Sequence, residues 1–512
     1  MAIRMTGMYS GLDTEALVSQ LMKAQRTKIE AVEKKKTSLE WKVDAWKTLN
    51  AKIYALYTGT LSEMRFSNFY ADKATSISDS TVATITASTS AVNGTQELAV
   101  KQMAKSGYMT GAQISTSDSS STLSTSTKLS ELTGYSASGS GTIDIKVGSK
   151  TTSIAVTDDT TIASVISQLK SAGVNASFDA TNKRIFVNSK TSGESADFTI
   201  SSSGDGANAL NALGLSTSSG AVKIDGQDAK ITLNGASFSS STNTFNINGL
   251  TITATGVTGT TTDSDGNTVD KTVSITTSAD YSGVYNKIKD FLTQYNALVN
   301  EMDSLYNADS AKGYEPLTDE ERAAMSDDQI EKWETKIKDA LLRRDSTLSD
   351  VTSAIKTAMS SAVTVNGTRY TLASFGISTG SYFSTSANER GAYHIDGDST
   401  DSTVSGNDDK LMAALASDPE TVTSFFTSLS NTLYSKMTEK MKSITGIRSV
   451  YTVYEDKRMA SDIEDYEDKI EELEDKFTAM EDRYYSQFTA METALAKLQS
   501  SSSSLTSLLG SS

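Results

Sequence analysis

The chain has 512 residues, enough for several domains with buried cores. Its formal charge of −16 and 37% apolar content argue against nucleic acid or an anionic membrane as a partner, since both demand basic patches. Without cysteine, disulfides, thiolate chemistry and cysteine-ligated metals are excluded, and the single histidine leaves few nucleophile–base pairs.

The amino terminus, "MAIRMTGMYSGLDTEAL", has no apolar core of signal-peptide length, so the general secretory route is not expected. No stretch approaches the ~20 apolar residues needed to cross a bilayer. The only prolines are Pro316 and Pro419, where average usage predicts roughly 25. A chain free of disulfides and nearly free of slow X-Pro isomers suits a protein that leaves the cell unfolded and refolds outside. Compositional drift is the plainer alternative.

The first predicted element is a helix opening in "SGLDTEALVSQLM", with Asp13 as N-cap, Glu15 in the first turn, and Leu12 and Leu17 as a hydrophobic staple. Val32, Leu39, Trp46 and Ile53 then recur every seventh residue, with Ile29 and Val43 on companion positions and Lys36 and Asn50 interrupting. From about Thr75 to Ser274 the period changes to that of strands. Ile143, Ile145 and Val147 alternate, Gly148 turns the chain, and Ile154 and Val156 lie on the partner strand. Ile162, Val165, Ile166 and Leu169 fit a helix face stopped at Gly173, and Val174, Ala176 and Phe178 resume alternation before "RIFV". "TFNINGLTITAT" is a hairpin turning at Asn248-Gly249.

Helical periodicity returns with Val284, Ile288, Phe291, Tyr295, Leu298, Met302 and Leu305, and further helix is expected between Leu317 and Met359. "VTVNGTRYTL" reads as a hairpin at Asn366-Gly367. In the tail, Ile463, Ile470, Phe477, Tyr484, Met491 and Leu498 are spaced by seven, on a helix from about Met459 of roughly 60 Å. The seam residues Val32, Leu39, Trp46, Ile53, Ile463, Ile470 and Phe477 are expected to pair within the chain.

The expected fold is a multi-domain α+β protein, with terminal coiled-coil helices and a helical-bundle leg carrying inserted β-rich heads. The expected boundaries are 1–40 with 481–512 for the terminal leg, and 41–75 with 275–480 for a helical core. A β-rich head spans 76–135 with 215–274, and an outer α+β head spans 136–214.

Catalytic chemistry finds little support. His394, in "GAYHIDGDSTD", alternates with Tyr and Ile as a strand residue would. "DGDSTD" and "TDSDGNTVD" lack the full ligand ladder of a calcium loop and read as turns. The acid run "DIEDYEDKIEELEDKF" reads as the solvated flank of a helix, with Lys469 and Lys476 as partners. No metal, cofactor or enzymatic activity is expected. At the extreme ends, Phe488 and Leu495 widen the apolar stripe beside Tyr484, Met491 and Leu498 beyond what a two-helix pair requires. Such an excess marks an assembly surface.

"SGLDTEALVSQLM", "WKTLNAKI" and "YYSQFTAMETALAKLQSSSSSL" together resemble the flagellar hook-associated protein 2, or filament cap, family. The resemblance continues through "IKDFLTQYNALV", "LLRRDSTL", "LASFGIST" and "LMAALASDPETVTSFF", covering about 1–70 and 276–512. "TTIASVISQLKSAGVNASFDATNKRIFV" is similar to a repeat module of flagellin and cap-protein heads, while the segment around "YEPLTDEERAAMSDDQIEKWE" is an addition relative to the shortest members.

The resemblance implies a secreted, non-enzymatic homo-oligomer at the distal tip of the flagellum, often of five subunits, with four to six considered. It implies flagellin as a partner, retained and folded beneath the cap. A cytoplasmic export chaperone and the flagellar type III apparatus are implied before that. Leu12, Leu17, Leu21, Met22, Tyr484, Phe488, Met491, Leu495 and Leu498 are then expected to contact flagellin or neighbouring subunits, and to gain order on doing so. The alternatives are another axial flagellar protein, of flagellin or hook-junction type, and a surface adhesin whose Ser/Thr-rich heads bind host mucin.

Overall fold

The structure, a computed structural model, describes residues 10–136, 141–381, 383 and 385–509. The chain forms two compact units, one of Met1–Tyr70 with Tyr281–Ser512, the other of Ala71–Asp280.

In the first unit, the amino-terminal helix runs Thr14–Thr58, and the Asp13 carboxylate accepts from the Ala16 amide at 2.9 Å. Its second half enters a core shared with the helices Tyr281–Asn307, Ser346–Met359, Lys410–Ser417 and Pro419–Lys440. Trp46, Ile53, Phe291, Tyr295, Phe425 and Phe426 are its large buried side chains. The expected periodicity of Tyr281–Asn307 arises because Val284, Ile288, Phe291, Tyr295, Leu298 and Met302 all turn into that core. Val363–Val365 and Thr368–Tyr370 form the hairpin, with φ of 49° at Asn366 and 82° at Gly367, which suits a primed two-residue turn. The carboxy-terminal helix runs Asp456–Leu509.

The segment between the helices Tyr281–Asn307 and Ser346–Met359 braces the amino-terminal helix. The Trp333 indole N–H donates to the Glu315 carbonyl at 2.9 Å and its ring packs on Tyr314. Lys338 lies 4.5 Å over the Trp41 ring, and Lys34 ion-pairs with Glu321 at 2.7 Å.

The second unit enters and leaves side by side: Lys73–Ile77 pairs antiparallel with Val273–Ala279, and the Asp280 amide donates to the Asp72 carbonyl at 2.9 Å. It holds two apolar cores. One lies between a five-stranded and a three-stranded sheet, centred on Leu98, Val100, Ile231, Phe245, Ile252 and Ile275. The other gathers Gly141–Val147, Lys150–Val156 and Phe198–Gly204 in one sheet. Val174–Asp179 and Arg184–Ser189 lie in a second sheet, and the helix Ile162–Ala172 is stopped by Gly173 at φ 114°.

Two boundaries differ from expectation. Residues 71–75 and 275–280 belong to the β-rich unit, where strand pairing holds them, rather than to the helical one. The second core also recruits Met109, Ile114, Leu123, Leu129 and Leu132, well before residue 136. These side chains are scattered over the short strand Tyr108–Thr110, the 3-10 turn Leu129–Glu131, an isolated bridge at Leu132 and loop positions, so no continuous period announces them.

Candidate assembly interface

The terminal helices pair antiparallel. Ser10 donates its amide to Glu492 at 3.3 Å, the Arg26 guanidinium lies 5.5 Å over the Phe477 ring, and Lys36 meets Glu467 at 2.9 Å. Lys36 breaks the apolar seam yet contributes to the pair. Its hydrogen bond to Glu467 raises its pKa above 10.5; burial opposes this and Glu40 assists. Asn50, the other interruption, donates to the Tyr451 carbonyl at 3.2 Å and accepts from the Val453 amide at 2.9 Å. Both polar positions therefore anchor the returning carboxy-terminal segment.

Of the expected seam, Trp46 and Ile53 are buried in the main core, while Val32, Leu39, Ile463, Ile470 and Phe477 are half-buried along the helix pair. Towards the ends the pair narrows to a small cluster of Val18, Met22 and Tyr485, flanked by Phe477, Met480, Tyr484 and Phe488.

Past Tyr484 the expected heptad departs from the seam. A straight helix drifts about 20° per heptad against a strict seven-residue repeat. The inward line passes to Tyr485, Phe488, Glu492 and Leu495, and the sevenfold series turns outward. Met491, Leu498 and Leu505 accordingly form one exposed stripe, Leu498 being 66% exposed. Leu505 continues the expected series and was missed only because the serine run around it looked like a loose end.

Leu12, just before the amino-terminal helix, and Leu17 and Leu21 on it are exposed, Leu21 at 48%. Met22 is a correction: at 3% exposure it faces the partner helix of its own chain and offers no free surface. Tyr484, Phe488 and Leu495 are half-buried, each with part of its surface open. The free apolar face thus consists of Leu12, Leu17 and Leu21 at the start of one helix, Leu12 just ahead of it, and Met491, Leu498 and Leu505 on the other.

The polar clusters considered from sequence have structural partners. His394 lies on the strand Tyr393–Ile395 and its Nδ1 meets Asp401 at 2.5 Å. Asp398 accepts from Lys289 at 2.8 Å and from the Thr400 amide at 3.0 Å. Asp263 caps its own turn, accepting from the amides of Asp265 and Asn267. In the acid run, Lys469 and then Lys476 draw the Glu472 carboxyl down to about 2. Among the described residues there is no group of three or more His, Asp or Glu placed to hold a metal ion, and no helix long and apolar enough to cross a membrane.

Profiles described as flagellar hook-associated protein 2 N-terminus and C-terminus match residues 10–107 and 226–500. A flagellar hook-associated protein 2 of Halalkalibacterium halodurans is 24% identical over 82% of this chain and 78% of its own length. Its counterpart in Escherichia coli K12 is 26% identical over 99% of this chain and 97% of its own. In fold, the chain is similar to the D1-D2-D3 domains of the Escherichia coli flagellar cap protein FliD. The TM-score is 0.50 at 20% identity, over 77% of this chain and 96% of that one. The chain belongs to the flagellar hook-associated protein 2 family.

Proposed function

We propose that the chain is the cap of the flagellar filament, seated at its distal tip, where it retains exported flagellin and promotes its folding and insertion. The observation that carries this reading is the free apolar face of the terminal helices, Leu12, Leu17 and Leu21 with Met491, Leu498 and Leu505. Exposed apolar surface of this kind is stable in solution only when it is small or covered by a partner. Flagellin and neighbouring cap subunits are the partners proposed to cover it, in a ring of about five copies. Family membership favours this role over a flagellin or hook-junction role. Export through the flagellar type III apparatus, with a cytoplasmic chaperone beforehand, is proposed on family membership, and the absence of cysteine with only two prolines suits a chain that travels unfolded.

Deleting the gene tests the reading. Unpolymerised flagellin should accumulate in the medium and filaments should be short or absent. Normal filaments in that strain would overturn it.

A further inference from the structure

A second surface lies on the first unit, away from the free apolar face of the terminal helices. Six side chains from four segments (the amino-terminal helix, the turn at 65–66, the helix Pro419–Lys440 and the loop before the carboxy-terminal helix) form a continuous run of ring contacts that surfaces on either side of the buried Tyr57. Tyr451 packs on Tyr54 with centroids 5.5 Å apart, Tyr54 on Tyr57 at 6.3 Å, and Tyr57 stacks on Tyr434 at 4.2 Å. The Arg65 guanidinium lies 3.7 Å over Tyr434 and 5.6 Å from the Phe66 ring. The stripe is solvent-facing at its ends, where Phe66 is 56% and Tyr451 50% exposed, and the loop that carries Tyr451 also exposes the apolar side chains Ile444, Ile447 and Val450.

Tyr451 is not there by slackness. It holds a left-handed backbone at φ 64°, unfavourable for a residue with a Cβ. Its amide donates to the Met441 carbonyl at 3.0 Å, and its own carbonyl accepts from Asn50. Such strain persists where surrounding contacts over-determine it. Tyrosine, phenylalanine and arginine held rigidly at a surface are the composition of interface anchors rather than of ordinary solvated surface.

Charge identifies the occupant. Arg65 is part of the stripe, Lys442 and Arg448 belong to the loop that carries Tyr451, and Lys457 opens the helix that follows; none makes an ion pair with a carboxylate among the described residues. The complementary surface is on the same sequence: Asp462, Glu464, Asp465, Asp468, Glu471 and Asp475 lie on the carboxy-terminal helix with no ion-pair partner among the described residues. That helix departs from the stripe's own loop at Asp456 and continues unbroken to Leu509, so a chain cannot fold its acidic flank back over its own stripe. A second copy can.

We propose that the aromatic–arginine stripe of one copy seats on the acidic flank of the carboxy-terminal helix of a second copy. Two different patches then meet, a heterologous contact that closes into a ring when the rotation allows. The inference rests on the cap reading, which requires self-association, and names the surfaces that supply it.

The test uses the purified full-length chain in sedimentation velocity at low and high salt, with filament growth followed in cells. The wild type should self-associate, less so as salt rises. Lys442→Glu with Lys457→Glu, and separately Asp465→Lys with Asp468→Lys, should each weaken association by about tenfold or more. Mixing the two variants should restore it, because each then offers the other a matched pair of faces. Phe66→Ser with Tyr451→Gly should weaken association at every salt concentration while thermal unfolding of the monomer is kept.

Association unchanged by the reversals, or a mixture no stronger than either variant alone, would overturn the proposal. So would reversals that spare self-association but lose flagellin, since the stripe would then belong to flagellin. In these cases a filament defect on gene deletion leaves the cap reading standing. A wild type that remains monomeric, in a strain that builds normal filaments without it, removes both.

Discussion

Trp46 stacks on Tyr454 in a displaced parallel arrangement, with ring centroids 5.5 Å apart and planes 6° from parallel. One ring stands on the amino-terminal helix and the other immediately precedes the carboxy-terminal helix. One turn further along, Asn50 bonds the Val453 amide across 403 positions of sequence. This junction closes the first unit after the insertion of the second. Trp46→Ala is expected to cost about 3–5 kcal/mol, because it opens a cavity under a fully buried indole. Urea unfolding followed by far-ultraviolet circular dichroism checks it. A loss under about 1 kcal/mol, the size of an ordinary surface change, would mean the closure is held elsewhere.

Leu21 and Met22, expected alike from sequence, face opposite ways in the structure. Met22 is buried against its own chain, so Met22→Ser should destabilise the helix pair by about 2–4 kcal/mol. Leu21 faces solvent, so Leu21→Ser together with Leu17→Ser should change monomer stability by no more than about 0.5 kcal/mol per site. The same double variant should fail to support filament growth in a strain lacking the gene. Thermal unfolding and filament length together separate the two effects; a Leu17/Leu21 variant that grows normal filaments would remove these residues from the interface.

How much of this was legible in sequence follows from where a period is expressed. Tyr281–Asn307 and the turns at Asn248-Gly249 and Asn366-Gly367 were readable, because burial on one helix face and positive φ each leave a local residue signature. The outward rotation past Tyr484 was not, since a sevenfold series looks the same whether the helices supercoil or stay straight. Glu492 on the inward line is the one residue that breaks the apolar reading there. The stripe of Tyr54, Tyr434 and Tyr451 was also invisible, because its members come together only through tertiary packing. Lys36 and Asn50 looked like defects in a seam, and only their partners Glu467, Tyr451 and Val453 reveal them as anchors.

Hydrogen exchange should follow the same gradient of packing. The main core contains Trp46, Phe291, Phe425 and their many neighbours, whereas the far end of the helix pair rests on Val18, Met22 and Tyr485. Amides of residues 14–30 and 480–505 are therefore expected to exchange far faster in dilute monomer than those of Tyr281–Asn307 or Pro419–Lys440. Assembly should slow them selectively, because a partner covers the exposed leucines. Ends as protected in the monomer as the core would contradict a surface that waits for its partner.

Asp398 gives the stability a pH dependence of definite sign. Burial pushes its carboxyl up, but Lys289 together with the Thr400 amide and hydroxyl outweighs it, and the group titrates below its ordinary 3.8. Asp401 shifts the same way, burial again being outweighed, there by Thr403 and His394. A carboxyl that binds protons more weakly folded than unfolded stabilises the fold above the unfolded value. That contribution is lost as pH falls through the lower folded value. Asp398→Asn keeps an oxygen for the Thr400 amide but removes the charge facing Lys289, and should cost about 1–2 kcal/mol at neutral pH. The gap between wild type and variant should narrow once pH drops below 3.8 and go on closing with further acid. Urea midpoints for the two proteins across pH 7 to pH 2 measure it, and a gap that stays constant over that range would show that the Asp398 charge does not stabilise the fold.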